Sequence, residues 1–140
     1  MDATLNMKHG LSFSATADTG FAVELGASSS VGGDDDGFRP MELILVGLAG
    51  CTAMDVLSIL RKKRQEVTDF QVHAHAVQAE EHPKVFTEIT IKYVVHGVGV
   101  EPDAVARSVE LSETKYCPAQ AMLDQTVSIR HEWEIVEAGE

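Results

Sequence analysis

Along the first 25 residues apolar and polar positions alternate with period two, Leu11, Phe13, Ala15 and Ala17 against Ser12, Ser14, Thr16 and Asp18. That period puts each set on its own face of a strand. Asp18, Thr19 and Gly20 form a turn-favouring trio before Phe21, Val23 and Leu25 resume the pattern, and Leu5 and Met7 precede it. The segment predicts three short antiparallel strands packed through their apolar face. The next stretch, Gly26 to Phe38, is rich in Gly, Ser and Asp and reads as a mobile loop, with Asp34 to Asp36 as a solvated tip rather than a metal site.

From Met41 to Leu60 the chain is apolar almost all the way round a helical wheel, with Glu42 at its start and Arg61, Lys62, Lys63 and Arg64 at its end. Acid first and base last matches the helix dipole. A helix apolar on every side predicts a place in the centre of the fold. Its length, about 30 Å at roughly 1.5 Å per residue, is that of a membrane span, but Asp55 and the basic end interrupt the run, so a core helix is expected.

Two further strands are predicted at DFQVHAHAVQAE and FTEITIKYVV, the second with Ile89, Ile91, Tyr93 and Val95 inward and Glu88, Thr90 and Lys92 outward. EPDAVARSVELSETKYCPAQAML has helical spacing, with Pro102 in a first turn, Val105 and Val109 on one side and a second start at Pro118. The closing segment TVSIRHEWEIVE alternates Val127, Ile129, His131, Trp133 and Ile135 with polar residues and should return to the sheet, with Trp133 in the core. The order βββαββαβ predicts an α+β class. His73 and His75 share one strand face without an identifiable third metal ligand, so a solvated face is expected, and Tyr116 reads as core packing.

Composition narrows the function. The 140 residues are 44% hydrophobic and 24% charged, which predicts one globular domain over 1–140 that needs neither disulfide nor metal to fold. A formal net charge of −11 repels phosphate backbones and anionic lipid, so no nucleic acid and no membrane partner is expected, and a neutral or apolar small molecule fits better. The N-terminal segment lacks a secretory pattern, and with only two cysteines the reading is cytoplasmic, where thiols stay reduced.

Those two cysteines are the candidate chemistry. Cys51 stands in LAGCTAMDVL, either as an inert small hydrophobe or as a reactive thiol. Gly47 and Gly50 beside it each cost about 1 kcal/mol relative to alanine in a helix, which points to space for a ligand or for a closely packed partner helix. Cys117 precedes Pro118, so it should cap a helix N-terminus, where the dipole and Lys115 would stabilise a thiolate and lower its pKa. If the two thiols meet, one can attack a peroxide and the other condense the resulting sulfenic acid into a disulfide.

GLAGCTAMDVL with a later KYC, and Arg-Pro-Met-Glu-Leu leading into the helix, resembles the OsmC/Ohr family, most nearly its YhfA-like branch. The resemblance covers essentially the whole chain. It implies an OsmC-like fold in which two chains intertwine as a homodimer around their cysteine helices, and thiol-dependent reduction of organic hydroperoxides in stress defence. By position, Cys51 resembles the peroxidatic thiol and Cys117 the resolving one, with a dithiol as reductant and no metal or organic cofactor.

Two departures qualify the carry-over. The peroxidase branches have a glutamate ten residues before the first cysteine; Met41 stands there, and Glu42 follows it. On a regular helix Glu42 lies about 180° round and roughly 13 Å along the axis from Cys51, so it could serve only a partner chain's thiol. Those branches also carry an arginine in the N-terminal strands, whereas here Arg39 is the first arginine and the substitute cation. Asp55, one turn after Cys51, would raise a thiol pKa unless it bonds a backbone group or a cation. The rival expectation is a weakly catalytic or non-catalytic module of the same fold that binds small molecules or senses redox state.

Overall fold

The computed structural model describes residues 1–138, which fall into two compact units, one over Met1–Ile44 and the other from Leu45 onward. In the first unit the three predicted strands form: β1 (Ala3–His9), β2 (Ser12–Ala17) and β3 (Ala22–Gly26) pair antiparallel in that order. The β2–β3 turn falls on the expected residues, with Gly20 at φ +85° donating its N–H to Ala17 O at 2.9 Å. Side chains adopt that left-handed conformation poorly.

The register sets Phe13 against Met7 and Leu25, and Ala15 against Leu5 and Val23, so the alternating apolar residues do share a face. Its burial differs from the expectation. Leu5 and Met7 are exposed, Leu11 lies in the β1–β2 turn, and the one buried side chain of β2 is the polar Ser12. Ser12 Oγ lies 2.7 and 2.8 Å from the two carboxylate oxygens of Asp36, which satisfies the hydroxyl and ties the loop to the strand. The returning loop runs beside β3, and at Gly37 an added Cβ would come within 2.7 Å of Leu25 backbone, so only glycine fits. The stretch expected to be mobile therefore carries a 3₁₀ turn (Ser29–Val31) and specific hydrogen bonds.

Helix α1 (Pro40–Lys62) starts in the first unit. Pro40 needs no helical N–H partner there, and the free Arg39 N–H is taken by Glu42 Oε1 at 2.8 Å. The expectation of burial on every side is corrected. In the second unit Leu48, Thr52, Val56 and Leu60, spaced by four, form a fully buried stripe, while Val46 is 55% and Met54 75% exposed. A wheel that is apolar all round shows what could be buried; the chain itself covers one side. In length and composition α1 would suffice to cross a bilayer, so Asp55 and the basic end do not interrupt the run as expected; what speaks for a packed helix is the buried stripe.

The second unit has its own sheet, so there are two sheets rather than one. β4 (Glu66–Gln78) pairs antiparallel with β5 (Phe86–Val98), and β6 (Ser128–Glu137) pairs parallel with β5. Ile89, Ile91, Tyr93 and Val95 form the core face as predicted. His73 and His75 register with Lys92 and Thr90 on the solvated face. Trp133, expected in the core, is 37% exposed because β6 is an edge strand. The predicted helical stretch is split into α2 (Pro102–Leu111), a π turn (Ser112–Tyr116) and α3 (Pro118–Leu123). Val105 and Val109 are buried on α2 as expected, whereas Tyr116 is 50% exposed.

Candidate functional site

Cys51, Asp55 and Cys117 meet in the second unit. Two sulfurs and one carboxylate oxygen lie within 4.8 Å of one another, and both thiols are free. Cys51 and Asp55 are one helical turn apart, so α1 presents them on one stripe. Cys117 arrives from the π turn, and Ser112 locks the arrangement at two points. Its carbonyl accepts the Cys117 N–H at 2.9 Å, and its hydroxyl donates to Asp55 Oδ2 at 3.0 Å. The bond that Asp55 was expected to make is thus to a side-chain hydroxyl, rather than to backbone or a cation. Cys51 is half-buried and Cys117 is buried, so solvent reaches the first sulfur more readily.

Cys117 is the predicted N-cap of α3, with its Sγ accepting the Gln120 N–H at 3.3 Å. The expected fall in its pKa does not follow. Burial above all, and then the hydrogen bond it shares with Cys51, push the Cys117 thiol up to about 12. The N–H groups of Gln120 and Ala119 pull the other way and lose. A six-residue helix offers little dipole, and Lys115 lies over the Tyr116 ring, 5.2 Å from its centroid. Cys117 is therefore held in its protonated form.

A buried polar chain backs the thiols. Tyr93 Oη donates to His131 Nδ1 at 2.9 Å, and His131 Nε2 donates to Gln120 Oε1 at 3.0 Å. The Gln120 amide nitrogen is turned to Asp124 Oδ2 at 3.5 Å, which leaves Oε1 as the acceptor and puts the imidazole proton on Nε2. Burial holds His131 below the ordinary histidine range against the opposing pull of Glu113, and burial pushes Tyr93 up to about 12. Sequence reasoning missed this chain as a unit. The signal available was polar residues at inward positions: His131 in the β6 alternation and Gln120 in an apolar turn.

Of the sequence-derived site residues, the structure brings Cys51 and Cys117 together. Arg39 and Glu42 are engaged within the first unit. The Arg39 guanidinium donates to Asp35 Oδ1 at 2.6 Å and to the carbonyls of Gly26 and Gly37, both at 3.1 Å. Among the described residues no lysine or arginine forms an ion pair with Asp55. A cavity of about 350 Å³ opens beside Asp55, walled by Ser58, Ile59, Leu111, Tyr116 and the lysines Lys62 and Lys63. A separate triplet, His9, Asp34 and Asp36, gathers in the first unit and is exposed.

Comparison with known proteins bears on the family and the fold. The family model described as OsmC-like protein matches residues 33–132. Protein YhfA of Escherichia coli K12 is 38% identical over 138 residues, covering 99% of this chain and all of YhfA. The crystal structure of a protein from Aquifex aeolicus VF5 is 33% identical with a TM-score of 0.87, over 99% of this chain and 97% of that one. The organic hydroperoxide resistance protein OhrB of Bacillus subtilis shares the fold at 17% identity, with a TM-score of 0.64 over 96% of this chain and 98% of its own.

Proposed function

The chain belongs to the OsmC-like family, and from that premise we propose that it is a cytoplasmic thiol peroxidase that reduces organic hydroperoxides in oxidative stress defence. The Cys51 thiolate attacks one oxygen of ROOH, the O–O bond breaks, and the alkoxide leaves as ROH after taking a proton. Cys51 becomes a sulfenic acid. Cys117 then attacks that sulfur, an S–S bond forms and water leaves; an external dithiol is oxidised as it restores both thiols. No metal or organic cofactor enters these steps.

The observation that carries this reading is two free thiols whose sulfurs lie within 4.8 Å, one half-buried and one buried. The retained proton on Cys117 supports the division of labour, since the resolving sulfur must wait until the first has reacted. The cavity beside Asp55 offers apolar contact from Ile59, Leu111 and Tyr116. Each buried CH₂ is worth about 0.8 kcal/mol, so a fatty or aryl hydroperoxide gains over hydrogen peroxide. The reading includes a homodimer. Val46 and Met54 leave apolar surface uncovered, and a Cβ at Gly47 or Gly50 would meet nothing within 4 Å. In such a dimer Glu42 reaches the partner chain's thiol, and Arg39 is the substitute cation.

The test is consumption of cumene hydroperoxide by the full chain with dithiothreitol, alongside thiol counting. One equivalent of peroxide should remove both thiols, and Cys51→Ser should consume none; undiminished turnover in that variant overturns the mechanism. For the dimer, Met54→Asp should sediment as a monomer where the parent does not.

A second reading, a weakly catalytic binder or redox sensor on the same fold, draws on the high Cys117 pKa and the commitment of Arg39 to Asp35. Iodoacetamide kinetics separate the two. A catalytic Cys51 alkylates well below pH 8.5, about where an ordinary thiol titrates, whereas a binder reacts only near or above it.

A further inference from the structure

We propose that Cys51, Asp55 and Cys117 form a binding site for a thiophilic divalent cation of the zinc class, open only to the dithiol form of the chain. This stands apart from the peroxidase reading and needs no turnover to be true. The donor set is two sulfurs and one carboxylate oxygen, all within 4.8 Å of one another. Zinc takes sulfur at about 2.3 Å and carboxylate oxygen at about 2.0–2.2 Å, which in a tetrahedron sets ligand atoms roughly 3.4–3.8 Å apart. From a spacing of no more than 4.8 Å, closing takes a side-chain shift of about 1 Å at most.

Two of the ligands stand one turn apart on a single helix, a rigid pair, and the third comes from a different element. Each outer ligand already has the hydrogen bond that orients ligands in metal centres. Ser112 Oγ donates to Asp55 Oδ2, leaving Oδ1 free, and the Gln120 N–H donates to Cys117 Sγ. The donor chemistry also suits a cation, because two sulfurs and a carboxylate oxygen, with no lysine or arginine ion-paired to Asp55 among the described residues, are the ligand types zinc takes.

On binding, two S–H bonds break, their protons pass to solvent, two metal–sulfur bonds form, and no atom changes oxidation state. Three protein ligands leave a fourth position for water, as in open zinc sites. A bound cation holds both sulfurs as ligands and so denies Cys51 to a peroxide; a disulfide in turn denies the sulfurs to the cation. The two states exclude each other, and metal occupancy would protect the thiols. The His9, Asp34 and Asp36 triplet makes a poorer claim. It is exposed, and Asp36 already accepts from Ser12 through both oxygens.

The experiment titrates the reduced full chain with cadmium under argon and follows the sulfur-to-cadmium charge-transfer absorption, then displaces cadmium with zinc. Saturation at one cadmium per chain is expected, with no band after oxidation to the disulfide. Asp55→Asn, which keeps both thiols, should bind at least ten-fold more weakly, and Cys117→Ser should lose most of the band. His9→Ala should bind as the parent does. One equivalent of zinc should also protect both thiols of the unmutated chain from iodoacetamide, a readout that depends on no variant's folding. Absence of the band at one equivalent, equal affinity in Asp55→Asn, or no protection of the thiols would overturn the site.

Discussion

The loop after β3 and the long helix that follows it each gather three side chains of the kind that hold protons or metals, within the same 4.8 Å limit. His9, at the end of β1, and Asp34 and Asp36, in the loop, stand in water. There hydrogen bonds decide, and they stabilise charge: Ser12 holds Asp36 below the usual carboxylate range, and Ser29 does the same for Asp35, with Arg39 adding to it. At Cys117 beside the helix, burial decides, and it suppresses charge, pushing that thiol up to about 12. Proximity of titratable groups therefore does not set their chemistry; the solvent left between them does.

The largest effect that would break this contrast is at Cys117. If it resolves rather than attacks, Cys117→Ser should still consume one equivalent of peroxide, then stop as the sulfenic acid accumulates, which mass spectrometry would detect as one added oxygen. Continued turnover at the parental rate would mean that the buried thiol plays no part.

A smaller effect tests the buried chain behind the sulfurs. Tyr93→Phe removes the donor to His131 Nδ1, and leaving a buried acceptor unpaired costs about 1–3 kcal/mol in urea unfolding. No comparable loss is expected for Lys8→Met in the first unit, whose 2.8 Å ion pair with Glu24 is exposed.

The pH windows of the polar chain behind the sulfurs and of the loop should also differ. His131 binds a proton less readily folded than unfolded, so stability is full above about pH 6.5, the ordinary histidine value, and falls as pH drops through it toward the depressed folded value. Asp35 and Asp36 are likewise depressed, but as acids their contribution persists down to about pH 3.9 and is lost only as pH falls toward their folded values. Urea midpoints from pH 7 to 5 should therefore decline, and His131→Asn should flatten that decline. The smallest change is Ser12→Ala, which should move the Asp36 titration upward in NMR without altering thiol reactivity.

Much of the architecture was legible because periodicity reports faces. The alternation in β2 and β5, the Asp18 to Gly20 turn and the helix start at Pro118 all follow from local preference. What periodicity does not report is cover. Leu5 and Met7 keep their predicted face and yet stay exposed, and Ser12 is buried with a hydrogen-bond partner, Asp36, 24 residues away. The same limit applies at the site. Cys117 could be recognised as a cap from Cys-Pro, but its pKa depends on burial and on Cys51, neither of which is local. The Tyr93, His131 and Gln120 chain joins three elements, with Tyr93 and His131 38 residues apart, and no window along the sequence spans it.

At Ser112–Tyr116 the backbone winds wider than an α-helix, and the Cys117 amide reaches back five residues to its acceptor. Wide turns of this kind hold one residue more than a tight helix would. That extra residue lengthens the connection between α2 and α3, at whose end Cys117 stands. A disulfide needs its sulfurs about 2 Å apart, and here that wide turn delivers the second sulfur to within 4.8 Å of the first.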